Sequence, residues 1–525
     1  MNTMKTHSEY GFFILSFMIL LTFSPTKAHN VQKKFPKNSL SNSLICQHRT
    51  VPDEIPTDST FDGSIFHIDD SLLCETYPSV LVNGRTPENE VNTFQYNEVW
   101  HVTPKETLSK NFLILVNGTL YPSIKEEVRT YVEDVHASYG YGIYLLSVVN
   151  ASYLNIKDII IGYEENLCGV FLIGDFQECL FEINNDHEQY GYRKWPCDLF
   201  FTDLNGVWLD TDGNGIFDQH TGDVKPEIFL GRLSATGMDF YGSEISLIKD
   251  QLAKSHNFWW DESFHLNNDT ILNYIDRDWA HTFNVNGVKK ALRSCIVDDI
   301  KNNNSSPFSK SDYLNRLSDD KYGFTFLAAH SCPNYHLISR VNTNAYEISQ
   351  HESKNFAYNL FCCSACNWMA SNLYGYLGGV YLFCGDRTVA VIGSTKTGAM
   401  SKRKSFHDCL ETNNIGYSLK EWWGSAYGNQ HDDTDISWSY GMTILGDPTI
   451  YLWHDVSDIL VSEISLNSFP NDDNSNLVLF KAKERIHVEG GFSIPVGVHV
   501  IFEAPEILID SDFNCPLGAT FELRN

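Results

Sequence analysis

Three apolar runs constrain this chain most: residues 324–329 (FTFLAA), 359–363 (NLFCC) and 389–392 (VAVI). Each is short, unbroken and closed by small or polar residues. A strand with one wet face alternates apolar and polar positions. A run without alternation suits a strand covered on both faces, as in a parallel sheet flanked by helices. His330 follows the first run directly, and Cys366 lies just past the second. In open α/β sheets, ligands bind outside the carboxyl ends of the strands. A thiol and an imidazole meeting there point to cysteine-hydrolase chemistry. The segment 368–377 after Ser364–Ala365–Cys366 is expected to be a helix. Its N-terminus would favour the Cys366 thiolate, and the Cys366 N–H would help hold an oxyanion.

The remaining α/β pattern surrounds these runs. Strands are expected at 112–116, 141–149, 170–173, 227–233 and 271–275, and helices at 124–137, about 242–256 and near 288–294. Alternating strands and helices imply a doubly wound, mostly parallel sheet. A chain of 525 residues exceeds one core. Two α/β subdomains are expected, at 111–245 and 246–455, preceded by a segment 29–110 that reads as β-rich or as a pro-region.

Two further segments stand out. The loop 210–218 (DTDGNGIFD) places Asp210, Asp212, Asn214 and Asp218 at the oxygen-donor spacing of a calcium loop, with the Ile216 carbonyl at the backbone-ligand position. Thr221 stands where an EF-hand keeps its bidentate Glu, so Asp223 or a neighbouring loop would complete the shell. A structural calcium ion is the expected cofactor, with no organic one. Near the C-terminus, Ile486, Val488, Phe492, Pro495 and Gly497 recur 21 residues later as Ile507, Ile509, Phe513, Pro516 and Gly518. Five coincidences at one offset predict a small all-β, solenoid-like repeat module over 456–525.

Charge and targeting bound the partners. A net charge of −28 argues against nucleic acid. Residues 1–28 read as a secretory signal: Lys5, the apolar run 12–23, then Thr26 and Ala28 at a cleavage site. The mature chain is expected to be exported, extracellular or at the cell surface, without membrane insertion. In an oxidising compartment most of its 13 cysteines are expected to pair.

His330 and Ser364–Ala365–Cys366 resemble the catalytic His and Cys of the gingipain cysteine peptidases, which have a caspase-like fold. EIFLGRLS (227–234), NYIDRDWA (273–280), VAVIGST (389–395) and ILGDPTIYLW (444–453) resemble family blocks in the family's order. The C-terminal repeat is similar to β-stack modules appended to secreted bacterial proteins, especially of Bacteroidetes. The resemblance implies a caspase-like α/β fold and a calcium-stabilised endopeptidase acting on a protein or peptide. Cys366 would be the nucleophile and His330 the acid and base. Backbone N–H groups near Ser331 and Cys366 would form the oxyanion hole. Asp276 or Asp278 would hold a basic substrate side chain. The competing expectation is a caspase-like scaffold without activity, acting by extracellular binding or adhesion.

Overall fold

The computed structural model describes residues 94–524 except 105–109, 262–263, 265–269, 281–295, 302–307, 428–430, 453–462, 467–476 and 483–484. The expected signal segment and the helix near 288–294 lie outside the described residues.

Eleven strands form one sheet: β1 (Gln95–Val102), β2 (Asn111–Asn117), β3 (Gly142–Val149), β4 (Leu167–Ile173), β5 (Phe229–Leu233), β6 (Thr270–Ile275), β7 (Ile296–Lys301), β8 (Tyr322–Ala328), β9 (Ala357–Phe361), β10 (Ala390–Ser394) and β11 (Met442–Gly446). Their spatial order is β1-β3-β2-β4-β5-β11-β10-β9-β8-β6-β7. Pairing is parallel except at β1/β3 and β10/β11. Apart from the antiparallel edge strand β1, the sheet is therefore two parallel blocks running in opposite directions, abutting where β11 lies against β10. β11 belongs by sequence to the second half, yet it runs parallel to β5 through the pair Leu445↔Arg232. That crossover makes the two halves one continuous sheet.

Helices cover both faces, which is why the strands read as unbroken apolar runs. Helix α1 (Tyr121–Tyr139) buries Ile124, Val128, Val132 and Val135 at helical spacing and stops at Gly140, whose φ of 67° is left-handed. Helix α2 (Tyr153–Gly162) starts at a Ser152/Asn155 capping box. Helix α3 (Glu244–Trp260) is capped by Ser243. The expected helix at 368–377 is not formed. A 3-10 turn spans Trp368–Ala370, and helix α4 covers only Leu377–Cys384. Between them Asn372 and Gly375 exchange backbone hydrogen bonds in a tight turn, with Gly375 at φ 76°. The helix N-terminus at Cys366 is therefore that of α4, whose Gly378 N–H donates to the Ala365 carbonyl at 2.7 Å, and not one beginning at residue 368.

The C-terminal strands form two parallel three-stranded sheets, Glu463–Leu466 with Arg485–Val488 and Glu506–Ile509, and Leu477–Lys481 with His499–Glu503 and Thr520–Arg524. Ile486 lies against Ile507 and His499 against Thr520, the offset of the sequence repeat. Phe492 stacks on Phe513 at 6.3 Å between centroids. Arg524 ties this module to α1 through Glu133 at 2.7 Å. The ten described cysteines form no disulfide with one another.

Candidate active site

β8 and β9 pair in parallel with Ala328 opposite Phe361. The alignment continues past the strand ends: the Ala329 N–H donates to the Phe361 carbonyl, and the Ser331 hydroxyl donates to the Cys363 carbonyl at 2.6 Å. Residue 330 is thus level with residue 363, on chains about 5 Å apart. Side chains alternate across a sheet. Phe326, Ala328 and Phe361 share one core cluster, and Leu327, Ala329, Leu360 and Cys362 share the other. His330 has the parity of Ala328, and Cys363 that of Phe361. The His330 ring packs 5.5 Å from Trp279, which packs 5.0 Å from Phe361.

Cys363 is half-buried and opens a turn. The next residue, Ser364, has φ 54°, a left-handed conformation that costs a non-glycine residue roughly 1–2 kcal/mol. It is held by its N–H donating to the Lys396 carbonyl at 2.8 Å.

Cys366 lies elsewhere. It is fully buried in the cluster that contains Cys362, Tyr376 and Leu377. A Cβ added at Gly393 or Gly378 would lie 2.7 or 2.8 Å from its sulfur. Burial pushes its thiol pKa well up. Its N–H donates to the Ser394 carbonyl at 2.9 Å, so it is committed to the end of β10.

Asp278 and Asp276 are both spoken for. Asp278 Oδ2 lies 3.1 Å from His330 Nε2. That hydrogen bond, ahead of burial, holds its carboxyl below the usual range. Asp276 is buried; it caps the turn Arg277–Trp279 and accepts the Ser339 N–H at 2.8 Å. Ser331 is buried in the strand His330–Cys332 and is not among the left-handed residues, so no glycine is required there.

The loop 210–218 joins the hairpin strands Val207–Leu209 and Gln219–Thr221. Asp210 accepts the N–H groups of Gly213, Asn214 and Gly215, which hold its carboxyl below the usual range. Asp218 accepts the Thr211 N–H. Asn214 donates to Asp212 and to Glu182. The Ile216 N–H donates to the Asn214 side chain. Among the described residues no group of three His, Cys, Asp or Glu side chains is gathered as a metal cluster. Likewise, no described helix is long and apolar enough to cross a membrane.

The sequence alone did not single out Cys363 or Lys396 as site residues. Cys363 was legible in principle from parity, two residues after Phe361 as His330 is two after Ala328.

No family model matches the sequence, and no curated protein matches it. Three solved structures are similar in fold. A crystal structure of the Arg-specific cysteine proteinase gingipain R has 14% identity and a TM-score of 0.49 over 70% of this chain and 84% of that one. A complex of the pro- and mature domains of RgpB from Porphyromonas gingivalis has 13% identity and a TM-score of 0.48, over 68% and 84%. A structure described as a protease has 12% identity and a TM-score of 0.44, over 65% and 78%. At these identities the likeness is one of fold.

Proposed function

We propose that this chain is an exported cysteine endopeptidase whose nucleophile is Cys363, with His330 as acid and base and Asp278 orienting His330. The observation that supports this reading is the β8/β9 register, continued past the strand ends by the Ala329 N–H on the Phe361 carbonyl and the Ser331 hydroxyl on the Cys363 carbonyl, beside a Cys366 that is fully buried. In the proposed cycle the Cys363 thiolate attacks the scissile carbonyl. His330 gives its proton to the leaving amine, then takes one from the water that releases the acyl group. Asp278 engages Nε2, so Nδ1 serves the thiol. The Ser331 N–H is the oxyanion donor. The hairpin closes at Cys332↔Tyr335, which makes Ser331↔His336 the non-hydrogen-bonded pair and turns that N–H outward. A fluorogenic peptide library tests the reading: no turnover by the reduced, signal-free chain favours the non-catalytic scaffold.

With Asp278 committed to His330 and Asp276 to backbone, neither is assigned to a basic substrate side chain. Asp278→Asn is expected to lower kcat roughly tenfold or more with little change in KM, because the imidazole loses its orienting carboxylate. The sign with pH follows from the lowered carboxyl pKa. The stabilisation is present above the ordinary carboxylate range, about 4, and is lost as pH falls through the lowered value. Melting curves of Asp278→Asn should lack that acid-side slope; a slope identical to wild type would count against the pairing.

Calcium is proposed for the loop 210–218. Asp210, Asp212, Asn214, Asp218 and the Ile216 carbonyl supply hard oxygen donors, with Glu182 adjacent through Asn214. Adding calcium to EDTA-treated protein should raise Tm, and Asp212→Ala should remove that rise. Identical melting curves with and without calcium would sink it.

A further inference from the structure

We infer that a polar cavity at the far end of the His330 hairpin binds a neutral sugar ring. The cavity holds about 300 Å³, at the small end of ligand pockets. Four asparagines line it, Asn334, Asn342, Asn344 and Asn372, together with Lys310 and Glu347. The two charges cancel: Lys310 Nζ lies 2.5 Å from Glu347 Oε1 and also donates to the Asn342 carbonyl. The other Glu347 oxygen accepts the Asn344 N–H at 3.0 Å. An ionic ligand therefore finds no spare countercharge, while a neutral one finds side-chain amides that both donate and accept. Asn334 Oδ1 is enclosed without a hydrogen-bond partner among the described residues. A buried acceptor of that kind costs free energy until something donates to it.

Residues close in the chain to the cavity lining carry exposed aromatic rings. Glu347 follows Tyr346 on one helix, and Asn372 accepts the Tyr374 N–H at 2.8 Å, so two segments build both the cavity and an aromatic surface. Tyr346 and Tyr374 lie 4.9 Å apart between centroids, and Phe240 lies 5.1 Å from Tyr374. All three are exposed, at 36–38%. Clustered exposed aromatics mark binding surfaces. A sugar ring has hydroxyls that donate and accept, and a C–H face that lies flat on an aromatic ring. It matches a polar cavity beside an aromatic platform better than a wholly apolar or charged ligand does. The net charge of −28 further disfavours acidic sugars.

The test uses the full mature chain with glucose, galactose, mannose and N-acetylglucosamine and their short oligosaccharides, read by saturation-transfer NMR and calorimetry. At least one neutral sugar should bind with Kd on the order of 1 mM or below. Tyr374→Ala, at an exposed position, and Asn334→Ala should each weaken it about tenfold, a loss of roughly 1.4 kcal/mol. Absence of saturable binding at sugar concentrations about ten times that Kd overturns the proposal. So does binding that both variants leave unchanged. If asparagine- or glutamine-bearing peptides bind there and no sugar does, the cavity is a peptide side-chain subsite and the proposal is likewise overturned. Loss of peptidase activity has no bearing on this outcome, since the cavity does not include Cys363 or His330.

Discussion

Cys363→Ala is expected to abolish peptide turnover, with kcat falling a thousandfold or more, while Cys366→Ala keeps kcat/KM within about twofold of wild type. Removing a nucleophile deletes the covalent route entirely. Removing a buried thiol that touches no reacting atom acts only through packing. Cys366 sits against Gly378 and Gly393 in a closed core, so its loss leaves a small void and costs about 1 kcal/mol. The two variants thus separate cleanly: an inactive, normally stable Cys363→Ala and an active, slightly less stable Cys366→Ala. Alkylation gives an independent reading. Iodoacetamide reacts with thiolates, so the half-buried Cys363 should be labelled before Cys366, which is fully enclosed with a raised pKa. An active Cys363→Ala beside a folded but inactive Cys366→Ala would return the nucleophile to Cys366 and end the present assignment.

The strands of the site were legible because both of their faces are covered. The runs 324–329 and 359–363 correspond to Tyr322–Ala328 and Ala357–Phe361. Local pattern could not place β11. It pairs with β10 across a long insertion and with β5 from the first half, and such non-local pairing leaves no trace in periodicity. The helix expected at 368–377 has helical spacing, but Asn372 and Gly375 close a turn within it. The tripeptide resemblance points to Cys366 and strand parity to Cys363, because a shift of one residue in a strand sends a side chain to the opposite face. Asp278 was legible as an acid near a strand end. Its partner was not, because Asp278 lies in the turn Arg277–Trp279 and His330 more than fifty residues later in the strand His330–Cys332.

Lys396→Met is expected to destabilise the fold by roughly 3–5 kcal/mol, the cost of stranding one member of a buried ion pair. Lys396 Nζ lies 2.8 Å from Asp186 Oδ1, and the two side chains are 3% and 0% exposed. The ammonium also donates to the carbonyls of Ser437, at 2.6 Å, and Thr397, and lies 4.8 Å from the Trp195 ring. Burial pulls its pKa down, while Asp186 is the strongest opposing influence. With methionine in place, Asp186 keeps a buried carboxylate whose Oδ2 has no hydrogen-bond partner among the described residues. Tm should fall by roughly 5 °C. Lys396→Met/Asp186→Leu should recover most of that loss, since replacing both members of a buried pair with apolar groups is often neutral. Activity should fall with stability in the single variant. The Lys396 carbonyl holds the N–H of Ser364, immediately after Cys363, and the His187 N–H donates to the Ser437 hydroxyl at 3.0 Å. The pair therefore fixes the chain that follows the thiol and the loop around Asp186 at the same point. A Lys396→Met protein that melts with wild type would mean that the ammonium contributes nothing net. The turn at Cys363 would then be held by its backbone hydrogen bonds alone.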